Sequence, residues 1–124
     1  NGGMLPTPVL LRGASSGKRS VGVSESSLTI AREGMRLAVT DPRGTAQALS
    51  IPGLKVAGKT GTAQVGAKNE FTNSLIIGFF PYEKPRYAFA IVMERAKSGT
   101  LEGAPAAARE VLSWLAANRP AMTE

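Results

Sequence analysis

The sequence predicts a mixed α/β (α+β) fold in which an antiparallel sheet of at least three strands is flanked by helices. Three observations lead to this fold class. Apolar residues recur at helical spacing over residues 27–40, three strand-like segments follow at 55–65, 73–80 and 87–95, and a second helical pattern begins at Pro105. The chain of 124 residues is long enough for one modest domain.

The first helix has an apolar face with the spacing of an α-helix. A serine at position 26 or 27 can cap its start, because a side-chain oxygen accepts from an otherwise unpaired backbone N–H. Asp41 precedes Pro42 and ends the helix, since the residue before a proline is pushed out of the helical region. The apolar face is formed by Leu28, Ala31, Met35, Ala38 and Val39.

The second and third strands are separated by the turn-like segment PYEKPR, which predicts an antiparallel hairpin. Both strands are nearly continuously apolar, so we expect a sheet that is covered on both faces. The opening residues to Pro8 are predicted to form a loop, and residues 9–12 a short strand.

The final helix begins at Pro105, because proline is favoured in the first helical turn. Its apolar stripe has the spacing of a helix that docks on a sheet, and it consists of Ala108, Val111, Leu112 and Leu115. Residues 119–124 are expected to form a flexible tail.

The composition excludes several kinds of site. The chain has no histidine and no cysteine, so a Ser-His-Asp triad, thiol catalysis and thiolate metal sites are all excluded. A general base must be a carboxylate, a tyrosine or a lysine, and neither a cofactor nor a metal is predicted. The net charge is +6, but the basic residues are scattered and no run exceeds Lys18-Arg19. We therefore interpret the charge as a solvated basic surface and predict no nucleic-acid partner.

The segment GLKVAGKTGTAQ (53–64) matches two motifs with different chemistry. From Gly53 it matches the phosphate-binding P-loop, in which Lys-Ser/Thr begins a helix. From Lys59 it reads Lys-Thr-Gly-Thr, a strand motif of enzymes that acylate a serine. Pro52 stands where a P-loop strand should end, and the glycine-containing segment GTAQVGAKNE follows where a helix should begin. The context favours the strand, and the backbone after Thr60 decides between the two.

As a strand, this segment predicts a site for an anionic peptide terminus. Lys59 offers a cation, and Thr60 and Thr62 offer hydroxyl donors that hold a carboxylate. A free strand edge also pairs with an extended peptide. Glycines weaken a strand, so Gly58 and Gly61 indicate close approach of backbone or ligand. The alternative interpretation is a surface lysine among ordinary strand-forming threonines.

At this point the chain resembles the C-terminal part of the transpeptidase domain of a class B penicillin-binding protein. The similarity covers nearly the whole chain, and the motif KTGTAQ most resembles the cell-elongation type, with the cell-division type also similar. The resemblance rests on these segments in order: NGG, GMRLAV, GTA (44–46), AGKTGTAQ, IIGFFP, YAFAIVME and GAPAAAREVL.

This resemblance implies the penicillin-binding-protein/serine β-lactamase-like fold and D,D-transpeptidation of peptidoglycan stem peptides through an acyl-serine, which β-lactams trap. By position, Lys59 joins the polar network around the catalytic serine, while Thr60 and Thr62 hold the carboxylate of the donor. The backbone N–H of Thr62 is one oxyanion-hole donor. Gly61 lets the peptide lie against the strand.

The nucleophile of the family is absent from the recognisable motifs of this chain. The segment SSGK contains Ser15 and Lys18 in Ser-x-x-Lys spacing, but it lies in a glycine-containing turn, so we reject Ser15 as the nucleophile. The family's Ser-x-Asn motif is also missing, because SESS lacks the asparagine. The chain is thus expected to be an incomplete transpeptidase domain over residues 1–124, inactive alone and stable only beside the missing N-terminal part, whether of the same protein or another chain.

The family also implies a location and a partner. The intact protein is expected at the periplasmic or extracytoplasmic face of the bacterial cytoplasmic membrane, anchored by a segment outside this chain and associated with a membrane-embedded SEDS-type glycosyltransferase. Four alternatives remain open: a serine β-lactamase, a β-lactam sensor, a P-loop protein and a noncatalytic module.

Overall fold

A computed structural model describes residues 2–10, 13, 17–97 and 103–123 of the chain. In chain order the elements are β1 (Met4–Pro6), β2 (Lys18–Ser20), α1 (Glu25–Thr40), β3 (Ala57–Val65), β4 (Phe71–Phe80), β5 (Tyr87–Lys97) and α2 (Ala104–Asn118). Short 3₁₀ turns occur at Gln47–Leu49 and Pro120–Met122. The chain divides into two units, residues 1–33 and 34–124, and each is described by itself.

The first unit contains a small two-stranded antiparallel sheet. β1 pairs with β2, with Met4 opposite Ser20, and the Thr7 N–H donates to the Gly17 carbonyl at 2.8 Å. The predicted loop to Pro8 is therefore wrong over Met4–Pro6, because a three-residue exposed strand formed by pairing has no alternating pattern to predict it. Val9 and Leu10 lie outside any strand, and the rest of the strand predicted at 9–12 lies outside the described residues.

Helix α1 begins two residues earlier than the apolar pattern indicates. Its cap is Ser24 instead of Ser26 or Ser27: the Ser24 Oγ accepts a hydrogen bond from the Ser27 N–H at 3.2 Å. The helix ends at Thr40, before Asp41 as predicted. Val39 is buried, whereas Leu37 is 56% exposed on another side of the helix.

Strands β3, β4 and β5 form one antiparallel sheet in that order, which confirms the three predicted strands. Lys59 lies opposite Ile77, Thr62 opposite Ser74, and Ile76 opposite Ile91. The pairing of β4 with β5 contains a bulge near Thr72 and Ser74. Since successive side chains alternate between the two faces, these registers define which residues share a face.

One face of this sheet carries the hydrophobic core. Helix α2 packs there with Ala108 and Leu112 buried, as its apolar stripe predicts. Val111, at the margin of the stripe, is 53% exposed, so its predicted burial is wrong. The other core residues on or beside this face include Leu49, Ile51, Ile76, Phe80 and Ala104.

The opposite face of the sheet is open among the described residues. Ile77 is 53% exposed and Val92 is 52% exposed, although both belong to nearly continuous apolar strands. The prediction of a sheet covered on both faces is therefore wrong for this part of the chain. The apolar runs exceed what α2 can cover, because a helix packs on one face only.

The last described residues are not extended. Pro120–Met122 form a 3₁₀ turn, and the Arg86 guanidinium donates to the Ala121 carbonyl at 3.3 Å. The flexibility expected for residues 119–124 stays a prediction. Over the described ranges, no helix combines the length and apolar character that a membrane crossing requires.

Candidate active site

The motif Lys-Thr-Gly-Thr lies in the middle of an extended strand. Residues 59–62 fall inside β3, and the strand continues to Val65 with no helix after Thr60. The P-loop hypothesis is therefore wrong, since its lysine must begin a helix. β3 is the first strand of its sheet and pairs only with β4 among the described residues. Its other edge is thus open to an extended ligand.

Lys59 is an exposed cation on this strand. Its side chain lies on the same face as Ile77, and its ammonium group donates to the Thr60 carbonyl oxygen at 2.6 Å. An ammonium has three protons, so this contact leaves two for other acceptors. The bond to a carbonyl of its own strand holds the charge close to the backbone of β3.

The two threonines of the motif lie on the other face of β3. Thr60 is half-buried opposite Ile76, and Thr62 is exposed opposite Ser74. Because they are two residues apart, their backbone N–H and C=O groups point toward the same side of the strand. The structure thus places both hydroxyl groups on one face and Lys59 on the other, around the same length of backbone.

The Thr60 hydroxyl has a partner that the sequence did not reveal. Its Oγ1 donates to the Thr45 Oγ1 at 2.9 Å, across fifteen residues of sequence. The GTA tripeptide at 44–46 was recognised as part of the family pattern, but nothing in it indicated contact with β3. Only the tertiary structure brings Thr45 to the motif.

A tight turn after α1 fixes the position of Thr45. The Gly44 N–H donates to the Asp41 carbonyl at 2.8 Å, and the fully buried Ala46 donates to the Ala38 carbonyl at 2.8 Å. A Cβ at Gly44 would lie 2.7 Å from the Ala38 carbonyl carbon, which requires glycine there. Thr45 therefore lies between two backbone-anchored neighbours.

The two glycines of the strand differ in their surroundings. A Cβ at Gly58 would lie 3.0 Å from the Leu49 Cδ1 and 3.3 Å from the Ile77 carbonyl oxygen, so its close approach is to the protein's own core. A Cβ at Gly61 would meet only Leu75, at the ordinary contact distance of 3.4 Å. Internal packing thus accounts for Gly58, whereas it tolerates a side chain at Gly61.

Contacts to α1 and to the β4–β5 turn fix the backbone that leads into β3. The Arg36 guanidinium donates to the Val56 carbonyl at 2.6 Å and lies 5.9 Å from the centre of the Tyr82 ring. The Tyr82 N–H in turn donates to the Lys55 carbonyl at 2.8 Å. The Lys55 ammonium lies 2.5 Å from a Glu83 carboxylate oxygen, and this hydrogen bond lowers the pKa of Glu83.

Ser15 and its two neighbours lie outside the described residues, so the structure does not place the Ser-x-x-Lys segment. Among the residues that it does describe, no group of three or more histidine, cysteine, aspartate or glutamate side chains forms a possible metal site. The site therefore consists of a lysine, hydroxyl groups and strand backbone, a set suited to binding an anionic extended peptide.

Comparison with known proteins identifies the family. Residues 1–113 match the penicillin binding protein transpeptidase domain family. Because this match covers most of the sequence, the chain belongs to that family. The antiparallel sheet with its packed helix is the corresponding part of the transpeptidase fold.

Individual relatives agree with this assignment. The peptidoglycan D,D-transpeptidase MrdA of Acinetobacter baumannii is 29% identical, over 74% of this chain and 15% of the relative. The penicillin-binding protein PBP2 of Helicobacter pylori has a TM-score of 0.74 at 28% identity, covering 93% of this chain and 21% of that one. The D,D-transpeptidase domain of a peptidoglycan glycosyltransferase from Eggerthella lenta has a TM-score of 0.67 at 34% identity, covering 86% and 24%. The chain thus spans less than a quarter of the length of each of these relatives.

Proposed function

We propose that this chain supplies one wall of the active site of a peptidoglycan D,D-transpeptidase. The observation that carries the proposal is the open edge of β3, where Lys59, Thr60 and Thr62 surround one length of extended backbone. A stem peptide is itself extended and ends in a carboxylate. It can pair with the strand edge while the two hydroxyl groups bind its terminal carboxylate and the ammonium group of Lys59 adds positive charge to the site.

The reaction needs a nucleophile that the motifs of this chain do not provide. A serine hydroxyl from the remainder of the domain attacks the carbonyl carbon of the penultimate D-alanine. The bond from that carbon to the nitrogen of the terminal D-alanine breaks, and the nitrogen takes a proton as D-alanine leaves. The amine of a second stem peptide then attacks the acyl-serine, forms the cross-link and releases the serine.

Residues of this chain interact with the charged groups that take part in these reaction steps. Lys59 contributes its fixed positive charge to the polar network around the serine, and Thr60 and Thr62 hold the donor carboxylate. The Thr62 N–H donates to the oxyanion of the tetrahedral intermediate, and loss of one such donor costs ~10²–10³ in rate. The protein itself leaves room for a side chain at Gly61. Glycine at this position instead leaves space for the ligand that lies against the strand.

The test is acylation of the intact protein by a fluorescent penicillin, because β-lactams mimic the donor terminus. We expect Lys59→Ala to reduce labelling by at least tenfold, with Lys68→Ala, a lysine in the β3–β4 turn, as the matched control that labels normally. Full labelling of Lys59→Ala would contradict the role of this residue. Rapid loss of bound label would indicate a β-lactamase instead of a transpeptidase.

The cellular setting follows from the same proposal. A peptidoglycan cross-linking enzyme acts at the extracytoplasmic face of the cytoplasmic membrane, where its polymer substrate lies, next to a SEDS-type glycosyltransferase. The KTGTAQ motif supports the cell-elongation type. Co-purification of the intact protein with the SEDS-type glycosyltransferase from membranes tests this association.

A further inference from the structure

We infer that Thr45, which lies outside the Lys-Thr-Gly-Thr motif, is a positioning residue for the carboxylate of the substrate and acts through Thr60. This inference rests on the proposed function. It assigns part of carboxylate recognition to the turn that follows α1.

The first step is the geometry of the two hydroxyl groups. The Thr45 and Thr60 Oγ1 atoms are 2.9 Å apart, and Thr60 is the donor. A hydroxyl has one proton and two acceptor lone pairs. While its proton is directed to Thr45, Thr60 has none to offer a carboxylate.

The second step is what an arriving carboxylate does to this pair. An anion accepts only, so it draws the Thr60 proton toward itself. The Thr60 hydroxyl then no longer donates to Thr45. Thr45 instead donates its own proton to the Thr60 oxygen. The result is a chain in which Thr45 donates to Thr60 and Thr60 donates to the carboxylate. Donation to the Thr60 oxygen polarises its O–H bond and strengthens the outer hydrogen bond.

The third step is that the backbone on both sides of Thr45 is held by hydrogen bonds, although Thr45 itself is exposed. The Ala46 N–H donates to the Ala38 carbonyl within α1, and the Gly44 N–H donates to the carbonyl of Asp41, the first residue after α1, each at 2.8 Å. Ala46 is fully buried. A fixed partner restricts the side-chain rotamer of Thr60, so less rotational freedom is lost when the carboxylate binds.

The experiment measures the second-order rate constant of acylation of the intact protein by two probes. One is a penicillin with its free carboxylate, and the other is the methyl ester of the same penicillin. We expect Thr45→Val to slow acylation by the free acid about tenfold, as the loss of a hydrogen bond coupled to a charged group predicts. The ester is expected to acylate the wild type more slowly than the free acid does. Thr45→Val should change the rate with the ester by less than twofold, because the ester group carries no charge.

Two further variants separate positioning from folding. Thr45→Ser keeps the hydroxyl group and should restore the free-acid rate to within about twofold. The double variant Thr45→Val with Thr60→Val should be no slower than Thr60→Val alone, because Thr45 acts through Thr60. Thr40→Val is the matched control, since its hydroxyl donates within α1 to the Arg36 carbonyl. If Thr45→Val does not fold, Thr45→Ala carries the same comparison without the added methyl group.

Three results would overturn the inference while leaving the proposed function intact. The first is acylation of Thr45→Val by the free acid at the wild-type rate, and the second is an equal decrease of the acylation rate with both probes. The third is that the effects of the Thr45 and Thr60 substitutions are additive. A wild-type protein that neither probe acylates would instead defeat the proposed function, and the role of Thr45 with it.

Discussion

The Ser74 hydroxyl on β4 accepts a hydrogen bond from the Ala104 N–H at 2.9 Å, and so caps the start of α2. The residue at the cap position itself is Gly103, which has no side chain to offer. Ser74 also lies directly opposite Thr62 in the sheet. One side chain therefore joins the start of the packing helix to the strand that carries the candidate site.

We expect Ser74→Ala to lower the free energy of unfolding by about 1 kcal/mol, the usual effect of losing an N-cap. The measurement is chemical denaturation of the intact protein. Ser113→Ala, inside α2, is the matched control and should leave stability unchanged or slightly raised, because alanine is the better helix former. Equal stability of Ser74→Ala and the wild type would show that the cap contributes nothing.

A second prediction compares two glycines on either side of the end of α1. Gly34 lies within the helix and a Cβ there would meet nothing within 4 Å, so Gly34→Ala should stabilise by roughly 0.5–1 kcal/mol. At Gly44 a Cβ would lie 2.9 Å from the Asp41 carbonyl oxygen, so Gly44→Ala should destabilise by about 1–3 kcal/mol.

Thermal or chemical unfolding of the intact protein distinguishes the two variants. Because Gly44 precedes Thr45, Gly44→Ala should also slow acylation by a penicillin more than Gly34→Ala does. A Gly44→Ala variant as stable as Gly34→Ala would contradict the tight turn.

The sequence predicted the strands of the main sheet because their residues are apolar, β-branched or aromatic over whole runs, as in β4 and β5. It also predicted the motif strand, since the glycines after Thr60 disfavour a helix. It failed where one residue depends on another far away in the chain. The hydroxyl pair of Thr45 and Thr60 and the cap that Ser74 provides for α2 both depend on the tertiary fold. The start of α1 was misplaced because Ser24, Ser26 and Ser27 lie close together there, and each of them satisfies the capping pattern.

A third prediction concerns acid and the pair formed by Lys55 and Glu83. The hydrogen bond from the Lys55 ammonium holds the pKa of Glu83 below its ordinary value of 4.5. A lowered folded-state pKa contributes stability that is present above the unfolded value and is lost as pH falls through the folded value. The pair should therefore support the neighbouring backbone at neutral pH and cease to do so in acid.

Amide hydrogen exchange at Tyr82 in the intact protein reports this effect, because its N–H donates to the Lys55 carbonyl. At about pH 6, Glu83→Gln should exchange faster than the wild type, and the difference should shrink as the pH falls progressively below 4.5, because protonation of Glu83 removes the ion pair. It should also shrink in high salt, since both side chains are exposed. Glu110→Gln, on α2, serves as the control. A difference that persists unchanged in acid would exclude the ionised pair as its cause.

The open face of the sheet leads to a fourth prediction, about the chain in isolation. Ile77 and Val92 are each more than half exposed there, and β5 has an edge with no partner among the described residues. Exposed apolar surface beside an unpaired edge favours association between copies. We expect residues 1–124 alone to bind hydrophobic dyes, to give a poorly dispersed NMR spectrum and to form oligomers.

The variant Ile77→Lys should bind less dye, because it places a charge in the centre of this face. The control variant Ile30→Lys, on an exposed part of α1, should have a smaller effect. A monomeric isolated chain with a sharp, cooperative unfolding transition would show that the face needs no cover.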